Sequence, residues 1–294
     1  MQKIIVNYKF GFKSMEHELK DITAVVNHKG GVAKTSTVLS IAGGLLRRNK
    51  EARVLLIDLD SQCNLSTQCG WNAVERQRRP TVFDSLCKEG GGRGIPVYKS
   101  DNGYYYSPSS DDSRAVERDL HVQDIIPQGV LFDRFAYPVD DLTGDGLTTV
   151  VESFDYILID CPPELNDTTS NAIVAASRVL IPLQLNPLSY MGLSKILKKQ
   201  TKLDLNFRKL LMGQDYELQE VVIVPVMTGS NTNVEKLYTE EIRNSYANFL
   251  SKASIRKDIK IQESQGVFKD IFRYAPYSRA AIDYEQLIKE LYNI

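Results

Sequence analysis

The stretch HKGGVAKTS at 28–36 carries the densest chemistry in the sequence. It lies between an apolar run at 22–27 and the helical run TSTVLSIAGGLLRRN. A strand, a Gly-rich turn and a helix that opens at Lys34 and Thr35 together make a phosphate cradle. Main-chain N–H groups and the positive end of the helix face the anion. Lys34 reaches the β- and γ-phosphates of a nucleotide, and the Thr35 hydroxyl is a ligand for Mg2+. Gly30, Gly31, Val32, Ala33, Lys34, Thr35 and Ser36 are therefore candidate nucleotide-binding residues. The pattern G-x-x-x-x-G-K-[ST] is met only in part, because His28 and Ala33 occupy its glycine positions. A glycine turn opening an ordinary helix is the alternative reading. Ala33 is accommodated if its φ is negative, whereas a positive φ would cost about 1 kcal/mol and could slow turnover.

Carboxylates follow two further apolar runs, VLLIDLD at 54–60 and YILID at 156–160. A carboxylate at a strand end can hold a Mg2+-bound water, because Mg2+ keeps most of its waters and takes few protein ligands. Asp160 is placed to do this. Taken singly, an acidic strand end is more often a solvated cap. Asp58, Asp60 and Asp160, in this order and each after an apolar run, favour a site.

These groups must be positioned by the elements around them. Short β-branched runs at 22–27, 54–58, 156–160, 179–183 and 221–226 alternate with helical stretches near 34–48, 168–177, 189–203, 233–250 and 278–292. That alternation predicts an α/β fold, a doubly wound, mostly parallel sheet flanked by helices, with its ligand crevice at the carboxyl ends of the strands. The 294 residues, 43% hydrophobic and 25% charged, suffice for one large core, so a single domain is expected over 1–294. Two stretches break the rhythm. About 20 residues precede the first core strand, and Met15 could itself start a chain; residues 88–119, rich in Gly, Ser, Asp and Pro, read as a loop or hairpin excursion. The four cysteines form no C-x-x-C pair, which points to reduced structural thiols.

The motifs resemble those of the ParA/MinD family of deviant Walker A P-loop ATPases, closest to its small, Soj-like DNA-partition members. The family pattern KGGxGKT matches KGGVAKT, with Ala33 in place of Gly. In that family the early lysine, here Lys29, contacts the γ-phosphate bound by the opposite subunit, so the resemblance implies an ATP-dependent homodimer. VLLIDLDSQCNLS resembles the switch pattern VLLIDLDPQGNLT, with Ser61 for Pro and Cys63 for Gly. By that resemblance Asp60 orients the attacking water, while Asp58 supports Mg2+ and the switch. Lys29, Lys34 and Asp60 are then catalytic, and Thr35, Asp58 and Asp160 serve the metal. VPVM at 224–227 resembles a VPTM strand that approaches the base, which adds Met227 to the cofactor set. The resemblance covers about 22–292 and leaves out 88–119. ATP and Mg2+ are the implied cofactors.

The net charge of −1 excludes a generally basic coat, so any DNA contact needs a local patch. The segment SIRKDIKI resembles the family's VIPRNVRL and places Lys257 and Lys260 at its basic positions. Lys195, Lys198 and Lys199 begin a second basic run, continued by Lys202, Arg208 and Lys209. Such lysines bind phosphates by releasing counterions, although a solvated helix face reads the same way. The resemblance implies non-specific double-stranded DNA and a ParB-type centromere-binding protein as partners, in plasmid or chromosome partition. No room for a helix-turn-helix precedes the first strand, so operator recognition is not expected. A MinD-like membrane ATPase would need a basic amphipathic C-terminal helix, whereas EQLIKELYNI sets one lysine against two glutamates. No membrane partner and a cytoplasmic, nucleoid-associated location are expected, with no apolar run of the roughly 20 residues that span a bilayer. A nucleotide-binding module with little turnover is the remaining alternative, given Ala33, Ser61 and Cys63.

Overall fold

The computed structural model describes residues 21–72, 79–87, 94–111, 113–120, 127–207, 220–230 and 232–294. The strands are β1 (Asp21–Val25), β2 (Val54–Asp58), β3 (Pro96–Lys99), β4 (Tyr105–Ser107), β5 (Asp140–Asp141), β6 (Tyr156–Asp160), β7 (Arg178–Gln184), β8 (Glu220–Thr228) and β9 (Ile255–Arg256). They form one sheet in the order β5-β3-β4-β2-β6-β1-β7-β8-β9, and every strand pairing is parallel except β3 with β4. The helices are α1 (Lys34–Arg48), α2 (Asn64–Gln68), α3 (Val82–Leu86), α4 (Ser113–Leu120), α5 (Val130–Arg134), α6 (Val150–Ser153), α7 (Asp167–Ala175), α8 (Pro187–Phe207), α9 (Asn233–Tyr246), α10 (Ile259–Gly266), α11 (Ile271–Tyr274) and α12 (Arg279–Tyr292).

The central strands are apolar at nearly every position because helices cover both faces of the sheet. Successive side chains point to opposite faces, so each strand divides its residues between two cores. Leu55, Ile57, Ile157, Ile159, Val179 and Ile181 enter one core with α3, α5 and α7. Val54, Leu56, Leu158, Leu180 and Val224 enter the other with α1 and α12. The apolar face of α12 belongs to this second core, where Leu287, Ile288 and Leu291 are buried. Among the described residues, no helix is long and apolar enough to cross a membrane.

All five expected strands are present, with ends that differ by a residue or two, and α8 extends beyond 189–203 on both sides. The stretch around 88–119 departs from the expectation in one respect. It does contain a hairpin, β3 and β4, but β4 lies parallel against β2 with Leu55, Leu56 and Ile57 opposite Tyr105, Tyr106 and Ser107. It is sheet, not an excursion. Its loop-like composition hid strands of only four and three residues. Aromatic packing secures them: Trp71 stacks against Tyr98 and Tyr106, and Tyr105 meets Phe154 edge-on. Residues 1–20, 88–93 and 112 lie outside the described residues.

Helix α1 presses closely on α11 and α12. A Cβ built on Gly44 would lie 2.2 Å from Ile288 Cδ1 and 2.9 Å from the Phe272 ring. One on Gly43 would lie 2.4 Å from the Asp270 carboxyl carbon. Asp270 cannot easily retreat, because it caps α11 through the N–H groups of Phe272 and Arg273 and accepts from the Tyr104 hydroxyl at 2.6 Å. Gly43→Ala is expected to destabilise the protein by about 1–3 kcal/mol through overpacking. That exceeds the roughly 1 kcal/mol gained from helix propensity. A lower urea midpoint at unchanged m-value checks it.

Candidate nucleotide site

The sheet order places β2, β6 and β1 side by side, so the ends of three chemically loaded strands converge. Asp58 and Asp160 are direct register partners, and Val25, the last residue of β1, is level with them. The chain then turns from β1 into α1 through the glycine-rich loop. Asn27 anchors the start of that loop: its Nδ2 donates to the Pro182 carbonyl at 2.6 Å, and its Oδ1 accepts from the Lys29 N–H at 2.9 Å. Gly31 and Ala33 both have left-handed backbone, with φ of 73° and 60°. The condition for an unstrained Ala33 is therefore not met, and the turn carries about 1 kcal/mol or more of strain there. Cys63, at the other family glycine position, repeats the situation with a φ of 53°.

Thr35 Oγ1 donates to Asp160 Oδ2 at 2.6 Å. The second oxygen of Asp160 is buried without a partner. Burial, and after it the charge of Asp58, pushes the Asp160 carboxyl up to about 8. Lys34 is buried nearby, and its ammonium makes one long hydrogen bond, 3.4 Å, to the Lys29 carbonyl. An unpartnered carboxylate oxygen, a threonine hydroxyl and an underused ammonium suit a hydrated cation carrying phosphates. Among the described residues no cluster of three or more His, Cys, Asp or Glu could hold a metal. A Mg2+ held mainly by water and phosphate oxygens needs no such cluster.

Asp58 has other work. Its Oδ1 accepts from the Asp60 N–H at 3.0 Å, and its Oδ2 accepts from the Ser66 N–H at 2.8 Å and the Ser66 hydroxyl at 2.6 Å. Burial raises its pKa to about 6, and these bonds oppose the rise. Both oxygens of Asp58 are committed to the turn that leads into α2, so Asp58 holds that turn in shape. Asp60 sits in that turn, where its Oδ1 accepts from the Gln62 N–H at 3.0 Å. Ser66 Oγ also accepts from the Ser109 N–H at 2.9 Å, which joins the switch to the end of β4. Sequence reasoning misses this role of Ser66, because a serine after Asn-Leu carries no signal of its own.

Lys29 lies beside the loop, with Nζ donating to Gln184 Oε1 at 3.3 Å. The Gln184 amide in turn donates to the Met227 sulfur. Met227 is at the end of β8, partly exposed and left-handed, with a φ of 56°. One row therefore runs from the loop lysine across β7 to the residue expected beside the base.

The basic residues separate into two groups. Lys195, Lys198 and Lys257 are exposed. Lys199 is half-buried and donates to the Leu165 and Asn166 carbonyls, and burial lowers its pKa. It is therefore a structural tie and is withdrawn from the phosphate-binding set. Lys260 is paired with Glu263 at 2.7 Å. Arg208 and Lys209 lie outside the described residues.

The raised Asp160 gives a pH signature. Its folded-state pKa of about 8 exceeds the ordinary 3.8, so the folded form holds a proton that the unfolded form has lost. Stability of the nucleotide-free protein is greatest below pH 4 for this group and falls as pH rises toward 8. Asp160→Asn is expected to flatten that slope and raise nucleotide-free stability at pH 8 by more than about 1 kcal/mol. Chemical denaturation at pH 5 and pH 8 checks it. Ala33→Gly should relieve strain yet leave folding stability nearly unchanged, because glycine's unfolded-state entropy offsets about 0.4–1 kcal/mol. Its effect is expected in nucleotide turnover, measured by phosphate release.

The sequence profile described as an AAA domain matches residues 20–213. A ParA family protein of Chlamydia muridarum is 30% identical over 91% of this chain and 96% of its own length. The chromosome partitioning protein ParA of Myxococcus xanthus is 28% identical over 92% of this chain and 87% of its own. The solved ATP complex of a Cyanothece McdA variant superimposes with a TM-score of 0.74 at 20% identity, covering 94% of this chain and 98% of that one. Together with the β1 loop, the Thr35–Asp160 pair and the Asp58-anchored switch, these similarities establish that the chain belongs to the ParA/MinD family of deviant Walker A P-loop ATPases.

Proposed function

We propose that this protein is a slow, partner-stimulated ParA-type ATPase that dimerises on Mg-ATP, binds double-stranded DNA without sequence preference, and drives plasmid or chromosome partition with a ParB-type protein. The observation that carries the reading is the Thr35–Asp160 pair, with its buried, unpartnered carboxylate oxygen beside the helix that begins at Lys34. The nucleotide's phosphates lie against main-chain N–H groups of 30–36 and Lys34. Mg2+ supplies charge neutralisation at the β- and γ-phosphates. Thr35 and Asp160 hold the hydrated ion, Asp60 orients the attacking water, and Asp58 keeps the Asp60 turn in place through Ser66.

Dimerisation draws support from the surface around the site. Leu188 and Met191 at the start of α8, Met227 near the end of β8, and Val234 and Leu237 at the start of α9 are all exposed, with Leu188 at 72%. These residues lie at or just beyond the carboxyl ends of β7 and β8, on the same edge of the sheet as the nucleotide loop. Apolar exposure of this kind marks an association surface. A second copy placed there would bring its own Lys29 toward the γ-phosphate once the hold of Gln184 is released. ATP and ADP then differ in affinity for the dimer, and only such a difference shifts the equilibrium between monomer and dimer. Doubling the exposed Lys195, Lys198 and Lys257 strengthens DNA binding by avidity. The Myxococcus relative's name, chromosome partitioning protein, supports the biological role.

A MinD-like membrane role is disfavoured because Leu287, Ile288 and Leu291 of α12 are already spent in the core. Lys34→Ala is expected to abolish nucleotide binding, whereas Asp60→Ala should retain ATP and persist as a DNA-bound dimer. Mobility shifts with apo, ADP, ATP and a non-hydrolysable analogue check both. Binding should fall steeply with salt, and equal DNA affinity with ADP and ATP would reject the switch.

A further inference from the structure

The phosphate loop is braced from a part of the chain that none of the motifs includes. Gln265, in the last turn of α10, donates its side-chain Nε2–H to the Ser36 hydroxyl oxygen at 3.0 Å. Ser36 lies in the first turn of α1, immediately after Thr35. The main-chain carbonyl of Gln265 accepts a hydrogen bond from Gln68 Nε2 at 3.1 Å, and Gln68 closes the switch helix α2. One residue thus touches both the phosphate helix and the switch helix, although 229 positions separate it from Ser36.

The direction of the side-chain bond carries the argument. A hydroxyl has one hydrogen and two lone pairs. Donation from the Gln265 amide occupies a lone pair of Ser36, so the hydroxyl hydrogen is directed elsewhere. The first turn of a helix that follows a phosphate loop is where an anion collects hydrogen bonds. A hydroxyl held there as a donor strengthens anion binding, because hydrogen bonds to charged groups exceed neutral ones.

We propose that Gln265 is a positioning residue of the nucleotide site, orienting the Ser36 hydroxyl as a donor to the bound phosphates while the Gln68 contact fixes α10 against the switch helix. This rests on the reading of residues 30–36 as an ATP site. Glutamate at 265 would reverse the bond, since a carboxylate can only accept. Ser36 would then spend its hydrogen on residue 265, and a negative charge would face the phosphates.

The test is the affinity of the full-length protein for a ribose-labelled fluorescent ATP with Mg2+, measured by titration. Gln265→Ala is expected to weaken binding about 3- to 10-fold, from the loss of one oriented bond to an anion. Gln265→Glu should weaken it further, by roughly 30-fold or more. In a Ser36→Ala background, Gln265→Ala should change affinity by less than about twofold, because the bonded partner is already gone. Thermal melting of each variant separates loss of fold from loss of binding, and the Ser36→Ala background separates orientation of the hydroxyl from charge repulsion by Glu. Equal losses in the presence and absence of the Ser36 hydroxyl would overturn the proposal, as would a Gln265→Ala protein that binds as tightly as wild type. A wild-type protein that binds no Mg-ATP would overturn the ATP-site reading as well, so the two failures are distinguishable.

Discussion

Two carboxylates buried on neighbouring strands impose the constraint from which the rest of the site follows. Asp58 and Asp160 are register partners at the carboxyl end of a sheet covered on both faces. Charge in such a place is costly unless it is neutralised or hydrogen-bonded. The protein resolves the conflict differently on each strand. Asp58 receives three hydrogen bonds from the switch turn and becomes an architectural anchor. Asp160 receives only the Thr35 hydroxyl, which leaves an oxygen without a partner inside the protein. The unsatisfied half of that pair is what gives the pocket its demand for a cation.

The loop chemistry answers the same demand from the other side. Lys34 is held close by with a weak bond, and Lys29 is turned back onto Gln184. Left-handed backbone at Gly31, Ala33 and Cys63 bends the turns that follow β1 and β2. Where glycine adopts such a conformation freely, Ala33 and Cys63 do so under strain. Strain of this kind persists only where surrounding contacts over-determine it. Here the Asn27 anchor on one turn, and the Asp58 and Ser66 contacts on the other, supply them.

Much of this was legible in the residues. The apolar runs ending in Asp58 and Asp160 revealed both the strands and the acids, because a strand covered on both faces reads as a continuous hydrophobic stretch. The phosphate loop was legible because it needs residues with few substitutes. The place of the β3–β4 hairpin in the central sheet was not, since its short strands depend on aromatic partners distant in sequence, such as Trp71 and Phe154. Nor was the inward turn of Lys199, which spacing along α8 could not distinguish from its exposed neighbours Lys195 and Lys198. The hydrogen bonds of Gln184 and Gln265 lie beyond any local pattern, joining residues 155 and 229 positions apart.

The alternating division of each central strand between two cores has a further consequence. A shift of one residue along β2 or β6 would turn every side chain to the opposite face. Leu56 would be forced into the space of Leu55, and the acids would leave the shared rim. A single-residue insertion within either strand therefore disturbs both cores and the acidic rim together. The lengths of the central strands are thus tied to the site that they carry.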